Sequence, residues 1–92
     1  MITAIVFVQC DVDQIQSVAE SIVEISEVSE VYSVTGGVDL IAMIRVRAHD
    51  ELADVITGRL AKIPGIVHTE THIAFQAYSR HDLEAAFSLG LE

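Results

Sequence analysis

Two apolar, β-branched runs, Val31-Tyr32-Ser33-Val34 and Leu40-Ile41-Ala42-Met43-Ile44, flank the stretch Thr35-Gly36-Gly37-Val38-Asp39. Runs of this kind pair as antiparallel strands, and a Gly-Gly pair can take the positive φ angles of a tight hairpin. The chain is therefore built around a β-hairpin. Its tip has two residues without side chains, which leave backbone N–H groups open to an anion. Asp39 adds a carboxylate two residues later. N–H groups beside a carboxylate make a receptor for a small zwitterion such as an amino acid. The plainer reading stays open: Gly-Gly is a turn, and Asp39 is a turn residue that bonds nearby backbone.

The rest of the chain supplies partners for this hairpin. Ile2 to Gln9 is a strand, rich in Ile, Val and Phe and apolar on both faces. Asp11-x-x-Gln14 has the form of a capping box, and Ile15, Val18, Ala19, Ile22 and Val23 follow at helical spacing. Val28 to Val34 and Leu40 to Val46 are the hairpin arms. Asp50 is placed to cap a second helix, whose apolar face carries Leu52, Val55, Ile56, Leu60 and Ile63. Gly58 weakens that helix by roughly 1 kcal/mol relative to Ala. Pro64-Gly65 stops it, and Ile66 to Ala77 is the last strand. On that strand Val67, Thr69, Thr71, Ile73, Phe75 and Ala77 share one face, with Val67 and Ile73 reading as core. Ser79-x-x-Asp82 then opens a short helical coda with Leu83, Ala86 and Phe87, ended by Gly90. No linker interrupts the chain, so residues 1–92 read as one domain, with 78–92 a short C-terminal helix or tail.

Strand–helix–strand–strand–helix–strand, with right-handed crossovers, gives an α+β, ferredoxin-like βαββαβ fold. It has a four-stranded antiparallel sheet and two helices on one face. The other face is then bare, although 51% of the residues are hydrophobic. Such a face is expected to pair with a copy of itself, giving a sheet-to-sheet dimer.

Charge narrows the function. Fourteen acidic residues against five basic ones give a net charge of −9. The basic residues are scattered, whereas binding to nucleic acid or to an anionic membrane needs them clustered. Cys10 is the single cysteine, which fits a reducing compartment and a packing role. The N-terminal apolar run has no basic flank and is too short to span a bilayer. A cytoplasmic protein is expected.

Other candidate chemistry is thin. His68 and His72 share a strand face but stand about 13 Å apart, too far for one metal ion. Glu70 could join either one, yet no third ligand is visible. His81 and Asp82 are adjacent and point in different directions. No nucleophile elbow, P-loop or dinucleotide fingerprint is present. Nothing in the residues points to a metal or a cofactor. Thr69 and Thr71 place two hydroxyls on one strand face, where they either bond backbone or line a polar pocket.

The segment Val34-Thr35-Gly36-Gly37-Val38-Asp39-Leu40-Ile41, with the later Ile63-Pro64-Gly65-Ile66-Val67-His68-Thr69-Glu70-Thr71, resembles the effector-binding (RAM) domain of the Lrp/AsnC family of transcriptional regulators. The likeness runs from Ile2 to about Tyr78. It implies the ferredoxin-like fold, dimers through the sheets, and further assembly into octamers or decamers. It also implies amino-acid effectors bound between dimers near the hairpin tip. Thr35, Gly36, Gly37 and Asp39 match the family's binding loop, with Val38 at a position that is often aromatic. Thr69 and Thr71 match the strand that completes the pocket. Family members usually carry an N-terminal helix-turn-helix, and this chain starts at the first strand. It therefore resembles a stand-alone domain that acts without direct nucleic-acid contact, through full-length Lrp/AsnC regulators. The alternative is a small dimeric ferredoxin-like enzyme with a pocket between sheet and helices. That reading needs a positioned acid or base, for which His68, His72 and His81 are the candidates.

Overall fold

The computed structural model describes residues 1–80. β1 (Ile2–Cys10) runs into a 3-10 turn (Val12–Gln14) and then α1 (Ile15–Val23). The hairpin follows as β2 (Val28–Ser33) and β3 (Leu40–Val46). α2 (His49–Ala53) continues through a π-helical stretch, Asp54–Arg59, and a 3-10 turn, Leu60–Lys62, before β4 (Ile66–Ala74). The sheet order is β2-β3-β1-β4, with every neighbouring pair antiparallel. This is the expected ferredoxin-like arrangement. The coda residues Asp82, Leu83, Ala86, Phe87 and Gly90, and the candidate His81, lie outside the described residues.

The core lies between the sheet and the helices. Ala4, Val6, Val8 and Cys10 of β1 and Leu40, Ala42, Ile44 and Val46 of β3 are buried. They alternate with half-buried Ile5, Phe7, Ile41 and Met43 on the opposite face. Val18 and Ile22 of α1, with Leu52, Val55 and Leu60 of the second helical segment, close over the first set. Each fully buried Val, Leu or Ile contributes roughly 1.5–3 kcal/mol relative to exposure. The expected α1 stripe is narrower than its spacing suggests, because Val23 is 57% exposed at the helix end.

The helix ends differ from expectation. Asp11 makes no side-chain cap. Its carbonyl instead accepts the Gln14 N–H at 2.9 Å and closes the 3-10 turn. The second helix is capped at Ala48 rather than Asp50, which falls in its first turn. Nor is that helix regular. Gly58 holds it weakly, and Thr57 Oγ1 donates to the Ala53 carbonyl at 2.6 Å. The wide π turn is what brings Leu60, five residues after Val55, back to the core side.

β4 is shorter and barer than expected. It ends at Ala74, so Phe75 and Ala77 lie beyond it, and Phe75 is fully exposed. Thr69, Thr71 and Ile73 stand opposite Val8, Val6 and Ala4, on the helix side of the sheet. Among the described residues the helices do not cover this edge. Val67 and Ile73 are 68% and 42% exposed, not core. On the open face, Ile5, Phe7, Ile41, Met43 and Tyr32 form an apolar centre, with Glu30, Arg45, Glu70 and His72 around it.

Two contacts fix the loops. Gly65 sits at φ +100°, and its carbonyl accepts the Asp11 N–H at 2.9 Å. A Cβ there would overlap Gln14 Oε1 and approach Val18 Cγ2 to 3.0 Å. Glu27, just before β2, accepts from Arg59 Nη2 and from Ser26 Oγ, both at 2.7 Å. The Arg59 hydrogen bond, more than any other cause, lowers the Glu27 carboxyl from 4.5 to about 2.

Gly65→Ala is expected to destabilise the fold by about 1–3 kcal/mol, through positive φ and overpacking against α1. The check is a fall in the urea midpoint at unchanged slope. For Glu27, the folded-state pKa is the lower one. The pair therefore stabilises above the ordinary carboxyl value of 4.5, and its contribution is lost as pH falls from 4.5 toward about 2. Water screens the half-exposed pair, so the effect is small. Thermal melts between pH 5 and about 2.5 should fall less steeply for Glu27→Gln than for the parent.

Candidate functional site

The hairpin tip is held at the C-terminal end of β1. The Val34 N–H donates to the Asp39 carbonyl at 3.1 Å, closing the loop from Thr35 to Val38. The Asp39 N–H donates to the Val8 carbonyl at 3.0 Å. The Cys10 N–H donates to Asp39 Oδ2 at 3.0 Å, and Gln9 Nε2 donates to the Gly37 carbonyl at 2.8 Å. Four hydrogen bonds thus tie the tip to itself and to one strand end.

This arrangement refines the expected roles. Gly36 takes the positive φ, +109°, whereas Gly37 does not. An added Cβ at either would meet nothing within 4 Å. The conformational demand for glycine therefore falls on Gly36, and Gly37 lies open. The turn is also longer than a two-residue hairpin, since β2 stops at Ser33. Asp39 fills the plainer role of bonding nearby backbone, but with one oxygen only. Among the described residues Asp39 Oδ1 has no hydrogen-bond partner, and neither do the Gly36 and Gly37 N–H groups. A fixed carboxylate oxygen and two open donors remain at one exposed tip. Thr35 is exposed, and Val38 is half-buried beside it.

Thr69 and Thr71 do not join this tip within one chain. Thr69 and Leu40 both stand opposite Val8, on its two sides. Two strand spacings, about 10 Å, therefore separate the β4 threonine from the hairpin. Thr71 is a further step along β4. Gln9 and the Cys10 backbone were not among the expected site residues. A Gln closing an otherwise apolar strand was the one signal in the sequence, because such a side chain reaches out for a nearby carbonyl.

The remaining candidates are occupied elsewhere. Cys10 is buried, and burial, then the charges of Asp39 and Asp11, push its thiol up. It is a protonated packing group, not a nucleophile. His72 Nε2 lies 2.7 Å from Glu70 Oε2, and its ring meets Phe7 edge-to-face at 5.1 Å. Tyr32 donates to Glu30, which pushes its hydroxyl up. Among the described residues no three His, Cys, Asp or Glu side chains converge as a metal site, and no helix is long and apolar enough to cross a membrane.

Residues 3–83 match the Lrp/AsnC ligand binding domain. The chain belongs to this family. It is 33% identical over 72 residues to an uncharacterized HTH-type transcriptional regulator of Pyrococcus furiosus. That match covers 78% of this chain and 49% of the regulator, so the domain spans about half the length of that relative. The crystal structure of TTHA0845 from Thermus thermophilus superposes with a TM-score of 0.82 at 44% identity, covering 87% of this chain and all of that one. A feast or famine regulatory protein of M. tuberculosis, complexed with L-methionine, shares the fold. Its TM-score is 0.73 at 24% identity, over 87% of this chain and 54% of that one. The Lrp/AsnC ligand-binding domain is thus a regulatory, ligand-binding module of transcriptional regulators.

Proposed function

We propose that this Lrp/AsnC ligand-binding domain is a non-enzymatic, oligomeric sensor that binds an amino acid at the hairpin tip. The observation that carries the reading is the state of the tip: locked to β1 by Gln9 and Cys10, with the Gly36 and Gly37 N–H groups and Asp39 Oδ1 left over. The N–H groups take the ligand carboxylate and Asp39 takes its ammonium group. Thr35 and Val38 flank the ligand. The methionine complex of the mycobacterial protein supports an amino-acid effector in this fold.

Thr69 and Thr71 lie too far from the tip of their own chain to complete the pocket. They reach it from a neighbouring dimer, so the site needs the assembly. The apolar centre of the open sheet face supports a sheet-to-sheet dimer, and octamers or decamers follow from repeated contact between dimers. The domain itself makes no contact with nucleic acid. At a net charge of −9 it repels phosphate, and it acts through the helix-turn-helix of Lrp/AsnC regulators.

Light scattering at micromolar concentration is expected to give at least twice the 10.0 kDa chain mass. A mass of one chain would remove the shared site. Calorimetry should find an amino acid that binds the parent, and Asp39→Asn should bind it about ten- to a hundredfold more weakly. That is the loss of one charge-assisted hydrogen bond. The amide oxygen of the substituted side chain can still accept the Cys10 N–H, so the fold should hold. Unchanged affinity in the folded variant would return Asp39 to a purely structural role.

A further inference from the structure

The sheet order leaves β2 as an edge strand. In an antiparallel pair, opposed residues alternate between those that exchange hydrogen bonds and those that do not. The Val34 N–H donates to the Asp39 carbonyl, and the Arg45 N–H to the Glu27 carbonyl. These two bonds set the phase of the ladder. Glu30 and Tyr32, opposite Met43 and Ile41, bond toward β3, so Val31 and Ser33 turn their N–H and C=O groups outward. Among the described residues no hydrogen bond meets these four groups. The same two residues line a groove of about 520 Å³ between β2 and α1. Val12, Ile15 and Ala19 of the α1 side line it too, with Leu40 beneath. Val12 is 84% exposed, an apolar side chain that the core does not use.

We propose that the β2 edge takes up an extended segment of a partner protein, added antiparallel as a fifth strand, in which apolar and basic residues alternate. Two residues of the segment, opposite Val31 and Ser33, meet the four open backbone groups. Residues so paired share a face, so their side chains enter the groove on the helix side. Its hydrocarbon walls call for Val, Ile or Leu there. The residues between them point to the other face, beside Glu30 and Tyr32, both exposed. The Glu30 carboxylate calls for Lys or Arg, and a cation is also held over the face of a Tyr ring. Asp13 brings a second negative charge to the groove, whose lining holds no cation. This charge argues against a second copy of the chain as the occupant. Two β2 edges would set Glu30 and Asp13 against the same acids, and a charged edge resists self-pairing. The inference is independent of the hairpin-tip reading, because no residue of the tip takes part.

The test is calorimetry and NMR amide exchange on the whole chain, with the capped peptide Lys-Val-Lys-Val-Lys as probe. The chain is expected to bind it and to slow exchange at the Val31 and Ser33 amides. Methylating the two valine nitrogens removes the donors that face β2 and should weaken binding about tenfold or more. Methylating the central lysine nitrogen, which faces away, should change affinity by no more than about twofold. The peptide with glutamate in place of lysine should bind about tenfold or more weakly. Ser33→Pro removes an outward N–H at an edge position that tolerates proline, and should weaken binding severalfold. Val12→Lys puts a cation on an exposed wall residue, should do the same, and carries the test even where Ser33→Pro does not fold. No binding, binding without slowed exchange at Val31 and Ser33, or equal affinity for the valine-methylated or the glutamate peptide would overturn the proposal. So would a folded Ser33→Pro chain of lower mass than the parent by light scattering, which would put a second copy on this edge.

Discussion

The backbone at the C-terminal end of β1 is shared by everything that matters in this fold. From Val8 to Asp11, successive main-chain groups and one side chain bind two loops from different parts of the chain. The Val8 carbonyl and Cys10 N–H hold Asp39, Gln9 holds Gly37, and the Asp11 N–H holds Gly65. A buried or half-buried backbone group must find a partner, and here the partners are the two glycine-containing turns. The hairpin tip and the Pro64-Gly65 turn are placed by the same four residues. Loop geometry that would otherwise be free is thereby set by a central strand.

That strand is central in the mechanical sense too. β1 pairs with β3 on one side and β4 on the other, and its inward residues are buried under the helices. The two edges differ. β2 is tied at its start by Glu27 to Arg59, and Arg45 Nη1 donates to Ser29 Oγ at 2.9 Å across the bulge in its pairing. β4 has no comparable ties among the described residues. It leaves Thr71 and Ile73 exposed and Thr69 half-buried on the helix side. An edge strand with one bare flank is the natural place for a neighbouring chain to contribute to a site. The tip, by contrast, is complete in its anchoring and incomplete in its hydrogen bonding.

Charge and burial divide the same way. Among the described residues no charged side chain is buried. The described acidic side chains therefore lie at the surface, where they disturb the core little. The one carboxylate with structural work at the tip, Asp39, is half-buried and bonded to an uncharged N–H. Among the described residues no ion pair includes Asp39.

Local pattern alone determined the four strands, the first helix and the Gly36-Gly37 hairpin. Period and turn chemistry report on what a residue does to its own neighbourhood, and those elements are decided there. The Lrp/AsnC likeness was legible for the same reason: its motif is two turns and a strand, each written in consecutive residues. Tertiary structure alone decided the rest. Gly36 rather than Gly37 takes the positive φ, in a tip bonded to the strand end from Val8 to Cys10, and the Gly-Gly pair itself does not distinguish the two. Whether Asp11 or Asp50 caps a helix depends on competing partners: the Asp11 carbonyl closes a backbone turn, while Asp50 falls inside the first turn and accepts the Glu51 N–H, and the Glu51 carboxylate accepts the Arg47 N–H. Val67 and Ile73 look like core by period, yet the described helices stop short of the β4 edge, and no sequence pattern records the reach of an element from another part of the chain. The distance between Asp39 and Thr69 is likewise a property of the strand order, because β1 lies between them.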